Sequence, residues 1–195
     1  MIETARCELT TLKDCVAKHS PFQGKSRYPK VYPLGLATLW AVSPVRQTYR
    51  HLVTKLYTDV KVRRFLGGVV DRKTIRYKFI KMLESNPENH YWVIRVKDSS
   101  SFEEIGIVSL TRHHNNIDTE ISYQLLPEWW GKGYGTEAAG AIVKYALTVM
   151  NLPRVVAETQ MANIASCRLL ESVGMRLERT VERFGAKQII YATHL

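Results

Sequence analysis

The sequence lacks the features that would place it in several function classes. Cys7, Cys15 and Cys167 are an odd number of cysteines without metal-ligand spacing, so they predict neither a disulfide framework nor a zinc site. No apolar run approaches the ~20 residues needed to span a bilayer, and the N terminus lacks the basic and apolar regions of a secretory signal. We therefore expect a cytoplasmic protein with no membrane partner and no metal ion.

Internal repeats, low-complexity segments and a basic tail are also lacking. With 195 residues, of which 45% are hydrophobic and 24% charged, the chain fits one domain, 1–195, as a monomer or homodimer. Prolines and glycines interrupt residues 18–42, which we interpret as an irregular insertion. The net charge of +10 favours nucleic acid, an acidic protein or a polyphosphate cofactor. Because no aromatic nucleic-acid signature is present, we expect no direct nucleic-acid reading.

Hydrophobic periodicity predicts an α+β fold, in which helices flank a central mixed, mostly antiparallel sheet. One predicted strand lies between the last two predicted helices. Because a helix connects it to the preceding strand, we expect these two strands to be parallel and joined by a crossover connection. The predicted strands are 2–13, 91–96, 104–111, 119–126, 155–159, 175–182 and 187–194. The predicted helices begin near Ser43-Pro44, Asp71, the glycines at 131–135 and Asn163.

In the strand at 119–126, polar and apolar side chains alternate. The odd-numbered residues from Ile121 to Leu125 share an apolar face, and the even-numbered residues from Glu120 to Gln124 share a polar face. Carboxylates are rarely buried without a partner. Glu120 is therefore either a salt-bridged sheet residue or a catalytic group.

A glycine-rich turn, Trp130-Gly131-Lys132-Gly133-Tyr134-Gly135-Thr136-Glu137-Ala138, connects this strand to a long amphipathic helix. Glycines at every second position allow a tight turn that exposes successive N–H groups, and the helix start adds the positive end of a dipole. Such a turn binds phosphate, but the same residues also serve in a plain strand-to-helix connection.

Two later motifs, Asn163-Ile164-Ala165-Ser166 and Glu171-Ser172-Val173-Gly174-Met175, follow the turn in an informative order. Together they resemble the GNAT superfamily of acetyl-CoA-dependent N-acetyltransferases, and the subgroup they resemble most is the RimJ/RimL-like ribosomal-protein serine/alanine N-acetyltransferases. The resemblance covers nearly the whole chain apart from residues 18–42. It implies the GNAT fold, acetyl-CoA as co-substrate without a metal ion, and direct transfer of acetyl to a primary amine.

The acceptor that this resemblance implies is the N-terminal α-amino group of a protein, such as a ribosomal protein. A small-molecule amine acceptor and a catalytically silent CoA-binding module are the alternatives. Acceptor choice in such a fold depends on loops, here 18–42 and 60–72, whose sequences contain no recognisable specificity motif.

The resemblance also assigns cofactor contacts to residues of this chain. Leu125 and Leu126 would contact the pantetheine arm through main-chain groups, and the N–H near Leu125 would stabilise the thioester oxyanion. Asn163 would contact the same arm, although a helix N-cap explains it equally well. Trp130 stands where the family usually has Gln or Arg, and tryptophan is familiar there in the subgroup. The residues that would hold the pyrophosphate are Gly131, Lys132, Gly133, Tyr134, Gly135 and Thr136.

Acetyl transfer needs a group that takes the ammonium proton and a donor for the departing thiolate. Glu120 is the candidate base, directly or through water. The family's usual donor is a tyrosine seven residues after the asparagine, where this chain has Leu170. We predict that Ser166 replaces it, with a capping box as the alternative role. We interpret His113-His114 as polar loop residues, with contact at the acceptor mouth as the alternative, and Cys167 as a structural or surface thiol without a catalytic partner.

Overall fold

One eight-stranded sheet runs through the part of the chain that the computed structural model describes, residues 2–3, 7–11, 45–84, 88–97 and 102–193. Its strands are β1 (Ile2–Glu3), β2 (Cys7–Thr11), β3 (His90–Lys97), β4 (Phe102–Arg112), β5 (Thr119–Leu125), β6 (Val155–Gln160), β7 (Arg176–Arg183) and β8 (Ala186–Ala192). They lie side by side in the order β1-β2-β3-β4-β5-β6-β8-β7, and only the β5–β6 pair is parallel. The predicted α+β class with a mixed, mostly antiparallel sheet is confirmed.

Five α-helices are described together with one 3₁₀ turn, Pro127–Trp129. The helices are α1 (Val45–Thr58), α2 (Val60–Arg63), α3 (Arg72–Leu83), α4 (Tyr134–Thr148) and α5 (Ile164–Ser172). As predicted, Asp71 caps α3 by accepting from the Thr74 N–H, and Asn163 caps α5 by accepting from the Ser166 N–H. The short helix α2 was not predicted, because four residues are too few for a helical period to show.

The N-terminal prediction was wrong in one respect. Residues 2–13 do not form a single strand; β1 and β2 pair antiparallel with Ile2 opposite Leu9. The sequence between the two strands, Thr4-Ala5-Arg6, contains no Gly, Pro or Asn, so no turn was predicted there. The predicted insertion at 18–42 and the expected Ser43-Pro44 cap lie outside the described residues.

Two apolar clusters lie on opposite faces of the sheet. Helices α4 and α5 cover one face, where Ile142 of α4 is fully buried, and α1 and α3 cover the other, where Leu56 of α1 is fully buried. Neighbouring residues of β4, Ile107 and Val108, belong to different clusters, as the alternation of a strand requires. Each buried side chain of this size stabilises the fold by about 1.5–3 kcal/mol. Strand β4 is therefore covered on both faces.

In the residues that are described, no helix is both long enough and apolar enough to cross a membrane.

Candidate active site

Strands β5 and β6 diverge in the middle of the sheet. They pair only at Thr119 with Val155 and at Glu120 with Val156, after which residues 121–125 and 157–160 do not pair with each other. In a strand, successive N–H groups point to opposite edges. Because the Leu126 N–H is bonded to the Ile105 carbonyl on the β4 side at 2.8 Å, the Leu125 N–H points toward β6 and into the gap. The gap thus offers a free strand edge to an extended ligand.

The two leucines at the end of β5 differ in what their main chains can still bind. Both main-chain groups of Leu126 are bonded within the protein, since its carbonyl also accepts from the Trp129 N–H at 3.0 Å. The Leu125 carbonyl accepts from the Trp130 indole nitrogen at 2.8 Å. The side chains of both leucines are buried. Of these two leucines, it is therefore Leu125 that directs an N–H into the gap.

The glycine turn begins α4 without any side-chain cap. Gly133 is the N-cap residue at φ +83°, and Gly131 has φ +71°, so both adopt the left-handed conformation that glycine allows at little cost. The first N–H groups of a helix have no intrahelical partner and carry the positive end of its dipole. A Cβ at Gly135 would lie 3.0 Å from the Leu169 side chain, so helix α4 packs tightly against α5 here. The turn has the geometry of an anion site.

Trp130 and Lys132 fix the outer side of this turn. The indole hydrogen bond from Trp130 ties the turn to the end of β5, although the side chain remains 47% exposed. The Lys132 ammonium lies over the Trp129 ring, 4.6 Å from its centroid, and that ring makes an edge contact with Tyr134. A cation held on an aromatic face has less freedom than an ordinary surface lysine. Trp130 is therefore a structural anchor in a position where the family usually has Gln or Arg.

Glu120 lies where β5 and β6 begin to diverge, among charged side chains from three other segments. His113 after β4, Glu158 on β6 and Arg183 on β7 all act on it electrostatically. Burial raises the pKa of Glu120 to about 7, and the negative charge of Glu158 adds to the rise, while His113 and Arg183 oppose it. A carboxyl group with such a pKa exchanges protons near neutral pH, as a general base must.

His113 is a part of this site that sequence reasoning missed. It is buried, with 1% of its side chain exposed, and its Nε2 lies 3.0 Å from Glu158 Oε2. The Asn115 N–H lies 3.4 Å from His113 Nδ1, so the loop after β4 holds the ring with its Nε2 toward Glu158. Arg183 Nε lies 3.2 Å from the other oxygen of Glu158. His114, by contrast, is exposed and packs on Phe184, as expected of a polar loop residue.

A cavity of about 260 Å³ lies between the sheet and α3 on the polar face of β5. Thr111, which lines it, is the cross-strand partner of Glu120, so the cavity lies next to the strand position of the candidate base, whose own side chain does not line it. Gln124 also lines it, and in the described structure its Oε1 is buried without a hydrogen-bond partner. The wall is rich in hydroxyl groups: Tyr57, Tyr77, Tyr91, Ser109, Thr111 and Ser122.

On the other face of β5, two hydroxyl groups meet. Tyr123 Oη lies 2.8 Å from Ser166 Oγ, in the first turn of α5. Burial raises the pKa of Tyr123 to about 12, so the phenol keeps its proton and can donate it. Leu170, at the position of the family's usual tyrosine, is buried in the core with 1% exposure. Strand β5 rather than helix α5 thus supplies a phenol near Asn163 and Ser166, which the sequence pattern did not reveal.

Cys167 is buried at 8% exposure, in agreement with its interpretation as a structural thiol. Across the described ranges, no three His, Cys, Asp or Glu side chains are grouped so that they can hold a metal ion.

Comparison with known proteins identifies the family. A model of the family described as "Acetyltransferase (GNAT) domain" matches residues 41–176. The Bacillus subtilis protein named "Uncharacterized N-acetyltransferase YnaD" is 38% identical over 122 residues, which are 62% of this chain and 69% of that protein.

Solved structures share the fold. A GNAT-family acetyltransferase from Bacillus anthracis matches with a TM-score of 0.63 at 24% identity, over 74% of this chain and 88% of that one. Aminoglycoside acetyltransferase AAC(6')-Ib, solved in complex with coenzyme A, matches with a TM-score of 0.62 at 11% identity, over 75% of this chain and 90% of that one. By the family match and the related sequence, the chain belongs to the GNAT acetyltransferase family and is an acetyl-CoA-dependent N-acetyltransferase.

Proposed function

We propose that this enzyme acetylates the N-terminal α-amino group of a protein. The observation that carries the proposal is the cavity beside Glu120, whose described wall contains hydroxyl groups, Lys78 and Lys81 but no Asp or Glu. Acceptors with several amines, such as polyamines and aminoglycosides, are polycations that need carboxylates for binding. A single amine at the end of a chain does not. The RimJ/RimL-like motifs noted in the sequence support the same acceptor.

In this proposal, acetyl-CoA lies in the gap between β5 and β6. The N–H groups at the start of α4 and the Lys132 ammonium bind the pyrophosphate, because they present positive potential without a competing side-chain cap. The Leu125 N–H faces the gap and supplies the oxyanion donor. The Asn163 Oδ1 accepts from the Ser166 N–H at 3.3 Å, so Asn163 acts as N-cap and has its amide NH₂ group left for the pantetheine arm.

The acceptor amine enters through the cavity, on the face of the sheet that α1 and α3 cover. Gln124 Oε1 accepts an N–H of the amine, and Glu120 takes the ammonium proton, directly or through water. The amine nitrogen then bonds to the acetyl carbonyl carbon while the carbon–sulfur bond breaks. The nitrogen gives up its second proton to solvent as the amide forms, and solvent returns a proton to the group that protonates the thiolate. The Tyr123–Ser166 hydroxyl pair donates a proton to the departing thiolate. The products are an N-acetyl terminus and free CoA.

The test is an acceptor screen that measures CoA thiol release. Peptides with a free N terminus are compared with the same peptides acetylated at the N terminus, and with spermidine and aminoglycosides as polycationic amines. We expect thiol release with free N termini, and mass spectrometry should place the acetyl group on the α-nitrogen. Turnover of the polycations in preference to every peptide would refute the proposed acceptor. If acetyl-CoA binds but no amine raises thiol release above background, the chain is a silent CoA-binding module instead.

A further inference from the structure

The positive charge of this chain is concentrated in the helical layer that covers the acceptor side of the sheet. Residues 45–84, which contain α1, α2 and α3, carry eleven Lys and Arg side chains and three carboxylates, whereas the whole chain has a net charge of +10. Helix α3 itself, Arg72–Leu83, contains five basic residues and no acidic one. Such a local excess attracts anionic partners far more than the same charge spread over the surface.

The three carboxylates of this layer are all engaged locally. Asp59 accepts from the Val62 N–H at the start of α2, and Asp71 accepts from the Thr74 N–H at the start of α3. Glu84 pairs with Lys81 at 2.9 Å. Most Lys and Arg side chains of the layer therefore have no carboxylate of the same layer as a partner.

Two depressions of this layer carry cations in their walls. Lys78 and Lys81, together with Tyr77, line the cavity that includes Thr111, the cross-strand partner of Glu120. A second depression of about 200 Å³ lies at the junction of α1 and α3, where its wall includes Arg50, Arg72 and Arg76. No Asp or Glu belongs to the described wall of either depression. Guanidinium and ammonium groups in such walls suit carboxylates.

We propose that the acceptor is a polypeptide with acidic residues directly behind its N-terminal amine. This inference rests on the proposed function, because it specifies which N termini the same site accepts. The amine reaches Glu120 through the cavity, and the following carboxylates bind first the Lys78 ammonium and then other cations of the α1–α3 layer. Charge pairs at a solvated surface act mainly on encounter and binding, so the selectivity lies in KM rather than in kcat.

The experiment uses three synthetic peptides that share an N-terminal alanine and differ only at the next residues: two glutamates, two glutamines or two lysines. We expect kcat/KM for the glutamate peptide to exceed that for the glutamine peptide by about tenfold, and the lysine peptide to be poorer still. The advantage should shrink when NaCl is raised from about 50 to 300 mM, because salt screens exposed charges. Free glutamate tests whether an acidic amino acid suffices.

Charge reversal tests the surface. Lys78→Glu should raise KM for the glutamate peptide by about tenfold and lower it for the lysine peptide. Arg76→Glu should act in the same direction but more weakly, because it lines the second depression. Lys144→Glu makes the same charge change at an exposed position of α4, on the other face of the sheet, and should leave peptide selectivity unchanged. A thermal shift with acetyl-CoA shows that each variant is folded.

The outcomes separate the two proposals. Equal, salt-insensitive kcat/KM values for the three peptides would overturn this inference and leave acetylation of protein N termini intact. The inference would also be overturned if Lys144→Glu altered the peptide preference as strongly as Lys78→Glu. Net charge, rather than the α1–α3 surface, would then determine the preference. Efficient acetylation of free glutamate would overturn the polypeptide acceptor. Turnover of polycationic amines alone would refute the proposed function itself.

Discussion

Glu120 imposes a stability cost on the fold at neutral and alkaline pH, and its replacement by glutamine should remove that cost. Burial, with the Glu158 charge as a smaller contribution, raises its pKa from 4.5 to about 7. A raised folded-state pKa means that the protonated carboxyl favours the native state, and that this contribution is lost as pH rises toward and through about 7. At 1.36 kcal/mol per pKa unit, the loss between about pH 5 and 8.5 is about 2–3 kcal/mol. Glutamine keeps the shape without the charge.

Urea unfolding of wild type and Glu120→Gln at both pH values measures this effect. We expect the variant to gain about 2–3 kcal/mol of unfolding free energy relative to wild type between about pH 5 and 8.5, while turnover falls at least about a hundredfold because the base is lost. Glu182→Gln makes the same chemical change at an exposed position of β7 and serves as the control. A stability difference that does not depend on pH would refute the raised pKa, and retained turnover would remove Glu120 from the reaction.

Other predictions concern the remaining parts of the site. Tyr123→Phe and Ser166→Ala should each lower kcat, and the double variant should lose less than the product of the two because the hydroxyls act as a pair; independent effects would argue against a shared donor. Gly133→Ala, at φ +83°, should cost about 1–2 kcal/mol of unfolding free energy and weaken the thermal shift produced by acetyl-CoA. Gly106→Ala would place a Cβ 2.4 Å from a main-chain oxygen of β5 and should cost about 1–3 kcal/mol. Gly140→Ala, which meets only an ordinary contact at 3.5 Å inside α4, should gain about 0.5–1 kcal/mol, and both changes can be measured by urea unfolding.

Much of the fold could be predicted from sequence because its signals are local. Polar and apolar residues alternate within each strand, and the connections between strands are short. The antiparallel series β3, β4 and β5 was therefore predicted correctly. The helical period of α4 between two strands predicted the parallel pairing of β5 with β6. Missing turn residues concealed the β1–β2 hairpin, because nothing in Thr4-Ala5-Arg6 marks a reversal.

The chemistry of the site could be predicted only in part, because its key contacts join distant segments. His113 and Glu158 are 45 positions apart in sequence, and Tyr123 and Ser166 are 43 apart. Each pair meets only through the tertiary arrangement of separate strands, loops and helices, and periodicity carries no information on the register between distant strands. Glu120 was identifiable because a carboxylate interrupts an otherwise uncharged strand. The residues that raise or oppose its pKa were not identifiable.

In the proposed reaction, the two faces and the open edge of strand β5 have different functions. Its even-numbered residues share one face, where Ser122 and Gln124 line the acceptor cavity, and the Tyr123 hydroxyl meets Ser166 on the other face. Its main-chain edge faces the gap toward β6. A slip of one residue would exchange the two faces and put Ile121 in place of the base. The close approach of Gly106 to the Gln124 carbonyl fits only the observed register of β4 and β5, so the proposed chemistry depends on that register as much as on the carboxylate itself.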